Sequence, residues 1–274
     1  MTESEAARWL AERDDFLLLT HAHPDGDTLS SAAALALGLR AAGKTAYILE
    51  NEETSDKYRP YVKDFFAPEG YEPQAVVSVD IATEELFPDN ALPYRGNVQL
   101  CIDHHGSNTN YAHNSCVRPD RAACGEVVYE ILMELCGSID AEIAKQLYIA
   151  VSTDTGCFVY GNTTANTLRT AALLIEAGAQ NDRLNKILFR TKKTSRILIE
   201  AMILDSLEFY HHNQTAVVYV TREMLEKSGE DESALDDIAS IPGQIEGVKV
   251  GITIKELPEN KGCKISVQMC IRDR

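Results

Sequence analysis

The chain has 274 residues, 45% of them apolar and 25% charged, the ordinary mix of a soluble globular protein with enough chain for about two domains. Its 26 basic side chains face 42 acidic ones, leaving a net charge of −16, which argues against a nonspecific DNA coat or a binder of anionic membrane surfaces. A phosphate-bearing substrate stays compatible with that charge if something local, such as metal ions, holds it.

The start, Met1-Thr2-Glu3-Ser4-Glu5, is acidic and does not read as a signal peptide. Thr2-x-x-Glu5 predicts a capping box for a first helix ending near Arg13. Phe16 to Thr20 reads as a buried strand. Leu29 to Ala42 is Ala/Leu-rich and reads as a helix closed by Gly43. Thr45 to Glu50, Ala75 to Val79 and Val98 to Ile102 read as three more strands. Helical stretches follow at Gly125 to Cys136, Ala141 to Val151 and Thr164 to Ala177. This alternation predicts an α/β fold, a parallel sheet with helices on both faces. In such sheets ligands sit beyond the carboxyl ends of the strands.

Asp182 to Tyr210 is a long helical pattern carrying Lys186, Arg190, Lys192, Lys193 and Arg196, read as a connection whose basic residues form a solvated face. Beyond it, strands are expected at Thr215 to Val220, Val248 to Glu256 and Cys263 to Val267, with a short helix at Arg222 to Lys227. The expected division is a first domain over 1–180, a helical linker over 181–212 and a smaller, incomplete α/β domain over 213–274. No apolar run approaches the about 18 residues of a membrane helix. The seven cysteines, Cys101, Cys116, Cys124, Cys136, Cys157, Cys263 and Cys270, form no Cys-x-x-Cys pair. They read as scattered, reduced core thiols of a cytoplasmic protein rather than a zinc site.

Four polar clusters carry the chemistry. They are His21-Ala22-His23-Pro24-Asp25-Gly26-Asp27 after the first strand, Asp80 after the third, Asp103-His104-His105 after the fourth, and Asp154-Thr155-Gly156 after an apolar helix. Carboxylates and imidazoles together suit Mn²⁺, Mg²⁺ or Zn²⁺. Two metals about 3.5–4 Å apart can share a carboxylate and hold a hydroxide for in-line attack on phosphorus. Taken alone, a strand-end Asp80 is more often a cap or loop residue, and Asp154-Thr155 could cap a helix. His113, His211 and His212 have no partners by spacing and read as surface or satisfied core residues. All four clusters in order on alternating elements make an accidental origin improbable.

On these residues the chain resembles the DHH phosphoesterase superfamily, whose Asp-His-His stands here as Asp103-His104-His105. Within it the chain is most similar to the bifunctional oligoribonuclease and 3′-phosphoadenosine 5′-phosphate (pAp) phosphatase group, the nanoRNases. Asp154-Thr155-Gly156-Cys157-Phe158, Asn162-Thr163-Thr164, and Ile241-Pro242-Gly243 with Glu246 to Val250 carry that closer match. The resemblance implies that His21, Asp25 and Asp80 bind one metal. Asp27, Asp80, His104 and Asp154 would bind a second, with Asp80 bridging and manganese as the expected ion. His105 would contact the scissile phosphate, and Asp103 would orient the histidines.

Ser30-Ser31 departs from the family's usual Gly-Ser. The family's second domain, of the DHHA1 type, runs on to a Gly-Gly-Gly-His loop, whereas Gln268 here is followed by Met269 to Arg274. The expectation is a truncated chain whose last six residues are foreign. The expected substrates are short oligoribonucleotides and pAp, with no membrane or long duplex nucleic acid as partner; a homodimer is compatible with this reading. The rivals are a manganese-dependent inorganic pyrophosphatase, a cyclic-dinucleotide phosphodiesterase and a non-catalytic nucleotide or metal binder.

Overall fold

The computed structural model describes residues 1–230, 235, 238, 240–258 and 262–269. The chain forms two compact units, Met1–Arg190 and Thr191–Arg274, so the division falls inside the segment expected as a helical linker. The expectation that the last residues are foreign falls on Met269, which ends a strand, and on 270–274, which lie outside the described residues.

In the first unit the strands are β1 (Phe16–Leu19), β2 (Ala46–Ile48), β3 (Ala75–Val79), β4 (Leu100–Asp103) and β5 (Ser115–Val117). They form one sheet in the order β2-β1-β3-β4-β5, parallel at every pair. The chain leaves β1 toward β2 and returns to β3 on the other side, so the order reverses between β1 and β3. β5 escapes sequence reading because three residues are too few to show a period.

The helices of this unit are α1 (Glu3–Ala11), α2 (Gly26–Ala41), α3 (Arg59–Val62), α4 (Cys124–Cys136), α5 (Ala141–Asp154), α6 (Ala165–Glu176) and α7 (Asn181–Asn185). The Thr2 hydroxyl accepts from the Glu5 amide while the Glu5 carboxylate accepts from the Thr2 amide, which is the expected capping box. α2 begins three residues before the expected Leu29. Asp25 is its cap and accepts from the amides of Asp27 and Thr28, so part of a segment read as loop is the first helical turn.

One face of the sheet, with Phe16, Leu18, Val77, Val79, Leu100 and Ile102, packs against buried residues of α1, α2, α4 and α5. Leu17, Leu19 and Val76 on the other face pack with Ile81, Phe87, Ala91 and Val98. Two glycines set how closely the helices meet. A Cβ on Gly26 would lie 2.4 Å from the Thr153 hydroxyl oxygen, and one on Gly125 would lie 2.7 Å from the Ala150 Cβ. With glycine at both, the first turns of α2 and α4 press onto α5.

The second unit holds α8 (Thr194–Asp205), β6 (Glu208–Tyr210), β7 (Thr215–Val220), α9 (Arg222–Ser228), β8 (Val250–Glu256) and β9 (Cys263–Met269). Its sheet runs β6-β7-β8-β9, with β7 and β8 parallel and the outer pairs antiparallel. The helical pattern of 182–210 is not one helix. It is divided among α7, a π-type turn at Lys186–Arg190, α8 and β6. β6 forms because His211, His212 and Asn213 all take positive φ, 53°, 55° and 65°, and fold Glu208–Tyr210 back onto β7. Nor are its basic residues all solvated: Arg196 is 9% exposed and shares Glu200 with Lys192. α8 supplies Ile199 and Ile203 to a core with Val218, Val220 and Leu225.

Cys101, Cys116 and Cys124 are buried, but Cys263 is exposed on β9 and is no core thiol. Among the described residues no helix is long and apolar enough to cross a membrane.

Candidate metal centre

The polar clusters meet at the carboxyl ends of β1, β3 and β4, around the point where the strand order reverses. Open parallel sheets leave a crevice there because neighbouring connections depart to opposite sides. β1 leads to His21, Asp80 directly follows β3 and β4 ends at Asp103. Asp25 and Asp27 lie at the start of α2, and Asp154 is the last residue of α5. Asp154 is therefore not a helix N-cap. Two non-glycine residues here, His23 and Asp80, hold φ of 54° and 62°, a conformation that costs about 1–3 kcal/mol and concentrates at functional sites.

Three groups of donor atoms lie within 4.8 Å of one another: His21, Asp25 and Asp80; Asp27, His104 and Asp154; and Asp80, His104 and His105. Asp80 belongs to two of them. The His21 Nε2 lies 3.7 Å from Asp25 Oδ1 and 3.9 Å from Asp80 Oδ2. The His104 Nε2 lies 3.4 Å from Asp80 Oδ1, 3.8 Å from Asp154 Oδ2 and 3.9 Å from Asp27 Oδ2. Most of these spacings are too long for hydrogen bonds. They are close to the roughly 3.0–3.5 Å between donors that share an ion at about 2.1 Å.

Both histidines face the centre with the same nitrogen, for a local reason. The His21 Nδ1 lies 2.7 Å from the Ala22 carbonyl and the His104 Nδ1 lies 3.2 Å from the Arg121 carbonyl. A carbonyl only accepts, so each Nδ1 carries the hydrogen and each Nε2 keeps its lone pair. Asp103 is fully buried and accepts from the amides of His104 and His105 and from the His105 Nδ1 at 2.8 Å. His105 stays half exposed.

Asp27 is held by the Ser31 hydroxyl at 2.8 Å and by the amides of Cys124 and Gly125 at 2.6 and 3.0 Å. Those amides lie at the start of α4, where the helix favours negative charge. Asp80 is 3% exposed, and among the described residues its Oδ1 has no hydrogen-bond partner. Burial, with the charges of Asp154 and Asp25, pushes Asp27 well above the usual carboxylate range. Burial, with Asp27 and Asp25, does the same to Asp80. Burial raises Asp154, although His104 opposes it. Partial burial would raise Asp25, but His21 and the amides of Thr28 and Asp27 hold it low. Without counter-charge these carboxylates cannot all ionise together.

The donor set is rich in oxygen, with imidazole second and no thiolate. The Cys124 thiol bonds to the Ile102 carbonyl at 3.4 Å, and burial beside Asp80 and Asp27 raises it well above its usual range. Such a set suits a hard or borderline divalent cation, Mn²⁺ or Mg²⁺ before Zn²⁺. The unpartnered Asp80 oxygen, the two oriented imidazoles and the crowded carboxylates all fit cation binding.

The sequence-predicted residues His21, Asp25, Asp27, Asp80, Asp103, His104, His105 and Asp154 all lie in this crevice. His23 does not join them; its ring is 86% exposed and pairs with Glu53. Sequence reading missed Asn108, which donates to Asp103 Oδ2 at 2.6 Å, and Asn51, which donates to the His21 carbonyl at 2.9 Å. Loop asparagines carry no pattern that separates such a role from turn formation. Ser31, half of the Ser30-Ser31 departure from the family pattern, also has a place here through its bond to Asp27.

The DHH family, N-terminal domain, matches residues 15–151. The bifunctional oligoribonuclease and PAP phosphatase NrnA of Thermus thermophilus is 29% identical over 252 residues, 92% of this chain and 75% of that protein. Its namesake in Bacillus subtilis is 26% identical over 259 residues, 93% of this chain and 82% of that protein. Among solved structures, an exopolyphosphatase-related protein from Bacteroides fragilis superposes with a TM-score of 0.86 at 20% identity. It covers 97% of this chain and 83% of its own, a likeness of fold.

Proposed function

The chain belongs to the DHH family and is a phosphoesterase hydrolase, and from that premise we propose that it hydrolyses short oligoribonucleotides and pAp with two divalent cations, manganese foremost. His21, Asp25 and Asp80 would hold one cation. Asp27, Asp80, His104 and Asp154 would hold the other, with Asp80 shared. Bound there, the cations would neutralise the carboxylates, polarise a phosphoryl oxygen and acidify water.

The chain's own residues supply the rest. Asp103 accepts from the His105 Nδ1 and, against partial burial, raises the imidazole above its usual range; as the imidazolium His105 would offer its Nε2–H as a donor where charge develops on the phosphoryl oxygens. Ser31 and the first amides of α4 hold Asp27 as an anion when cations are present. The observation that carries the proposal is Asp80: a buried carboxylate with one oxygen unpartnered, common to two three-residue donor groups. The activities for which those relatives are named point to the substrate class, and the net charge of −16 favours short substrates over long polyanions.

The test is Mn²⁺-dependent release of phosphate or nucleotide from pAp, a dinucleotide, cyclic di-AMP and pyrophosphate. Turnover of pAp and the dinucleotide is expected. Turnover of pyrophosphate or cyclic di-AMP alone refutes the substrate assignment, and equal turnover in EDTA refutes the metal assignment.

A further inference from the structure

Glu126, in the first turn of α4, is fully buried, and the chemistry above does not use it. Three neutral donors satisfy its carboxylate: the Ala122 amide at 3.0 Å, Asn166 Nδ2 at 2.9 Å and the Thr167 hydroxyl at 2.8 Å. Burying a carboxylate among neutral donors is expensive unless every bond is made. Glu126 therefore ties the loop before α4 to the start of α6. Asn162 makes a second tie between the same regions. Its Nδ2 donates to the Ala122 carbonyl at 3.2 Å and to the Asp154 carbonyl at 3.1 Å. Ala122 is thus held by its amide from Glu126 and by its carbonyl from Asn162. Its neighbour Arg121 offers the carbonyl that fixes His104.

We propose that Glu126 and Asn162 are positioning residues, a clasp through Ala122 that sets the tautomer of His104 and the place of Asp154. The proposal rests on the reading of these two residues as metal ligands. His104 follows β4 and Asp154 ends α5, 50 residues apart in sequence, and Asn162 links the Asp154 main chain directly to the loop that orients His104. A change at the clasp moves two of the four donors of one cation. It leaves His21 and Asp25, on the other side of Asp80, where they are.

Asn162→Ala is the main variant, because Asn162 is exposed and its loss spares the core; Glu126→Gln is the second. Each is purified metal-free and titrated with Mn²⁺ by electron paramagnetic resonance, and the histidine tautomers are read by ¹⁵N NMR in EDTA. One Mn²⁺ is expected to bind about 10–100-fold more weakly in both variants, the other within about twofold of wild type. His104 is expected to change from Nδ1–H alone to a tautomer mixture, while His21 keeps its form. Unchanged affinity for both ions and an unchanged His104 tautomer overturn the clasp and leave the metal reading standing. If the wild-type protein binds no Mn²⁺, the metal reading fails, and the tautomer decides the clasp: a mixture in both variants supports it, and Nδ1–H in both overturns it.

Discussion

Asp80→Asn separates stability from function. Asp80 is 3% exposed, its Oδ1 has no hydrogen-bond partner among the described residues, and it faces Asp27, Asp25 and Asp154. A buried unsatisfied polar group costs about 1–3 kcal/mol, more when charged. The amide keeps the volume and removes the charge. Asp80→Asn is expected to stabilise the metal-free first unit by about 1–3 kcal/mol, a rise of roughly 2–10 °C in Tm for a unit of this size. Saturating Mn²⁺ reverses the order. Ions at about 100 times their Kd add about 2.7 kcal/mol each to wild type, and the variant loses the donor shared by both sites. Scanning fluorimetry of both proteins in EDTA and in Mn²⁺ reads the crossing, and turnover of pAp should fall by more than about 100-fold, beyond what outer residues contribute. A variant less stable than wild type in EDTA, yet equally stabilised by Mn²⁺, would show that Asp80 is a structural carboxylate and refute the shared-donor argument.

His105→Ala is expected to lower kcat about 100-fold while Mn²⁺ affinity holds; Asp103→Asn added to it should reduce kcat less than it does alone, since Asp103 acts partly through His105. Equal losses in both backgrounds sink the coupling. Gly125→Ala places a Cβ 2.7 Å from that of Ala150, and urea denaturation should show a loss of about 1–3 kcal/mol; an unchanged midpoint contradicts the close approach of α4 and α5. Arg118 donates to both oxygens of Glu3, which outweighs partial burial and holds Glu3 below the usual range. A lowered carboxylate supports the fold above its unfolded pKa, near 4.5, and that support is lost as pH falls through the lower folded value. Glu3→Gln should therefore be about 0.5–1 kcal/mol less stable at pH 7, with the gap closing toward pH 3. A gap that widens on acidification reverses the sign and rejects the pairing.

Residue order alone exposed the strands β1, β3 and β4, because each is a short apolar run ending in a polar cluster. It exposed the candidate donors because four such clusters in sequence are hard to reach by chance. It also placed the capping box of α1 and the strands β7, β8 and β9. It did not expose β5, which is too short for a period, or β6, whose apolar residues continue a helical pattern. Only the left-handed run His211–Asn213 turns β6 back onto its neighbour. Nor could it assign Asn162 and Asn51, whose partners are main-chain carbonyls, or Glu126, whose side-chain partners Asn166 and Thr167 stand about 40 residues away; no side-chain pattern reveals either kind.

What the sequence by itself determined is the chemistry on offer: carboxylates and imidazoles beside apolar strands, in a chain with no paired cysteines to compete for a metal. The tertiary structure decided which atoms face one another. Asp154 reaches the crevice from a helix end, through the contact of α5 with two glycines, and Asp80 is buried between two donor groups. Both depend on packing between segments far apart in the chain, and pairwise distance is not a property of residue order.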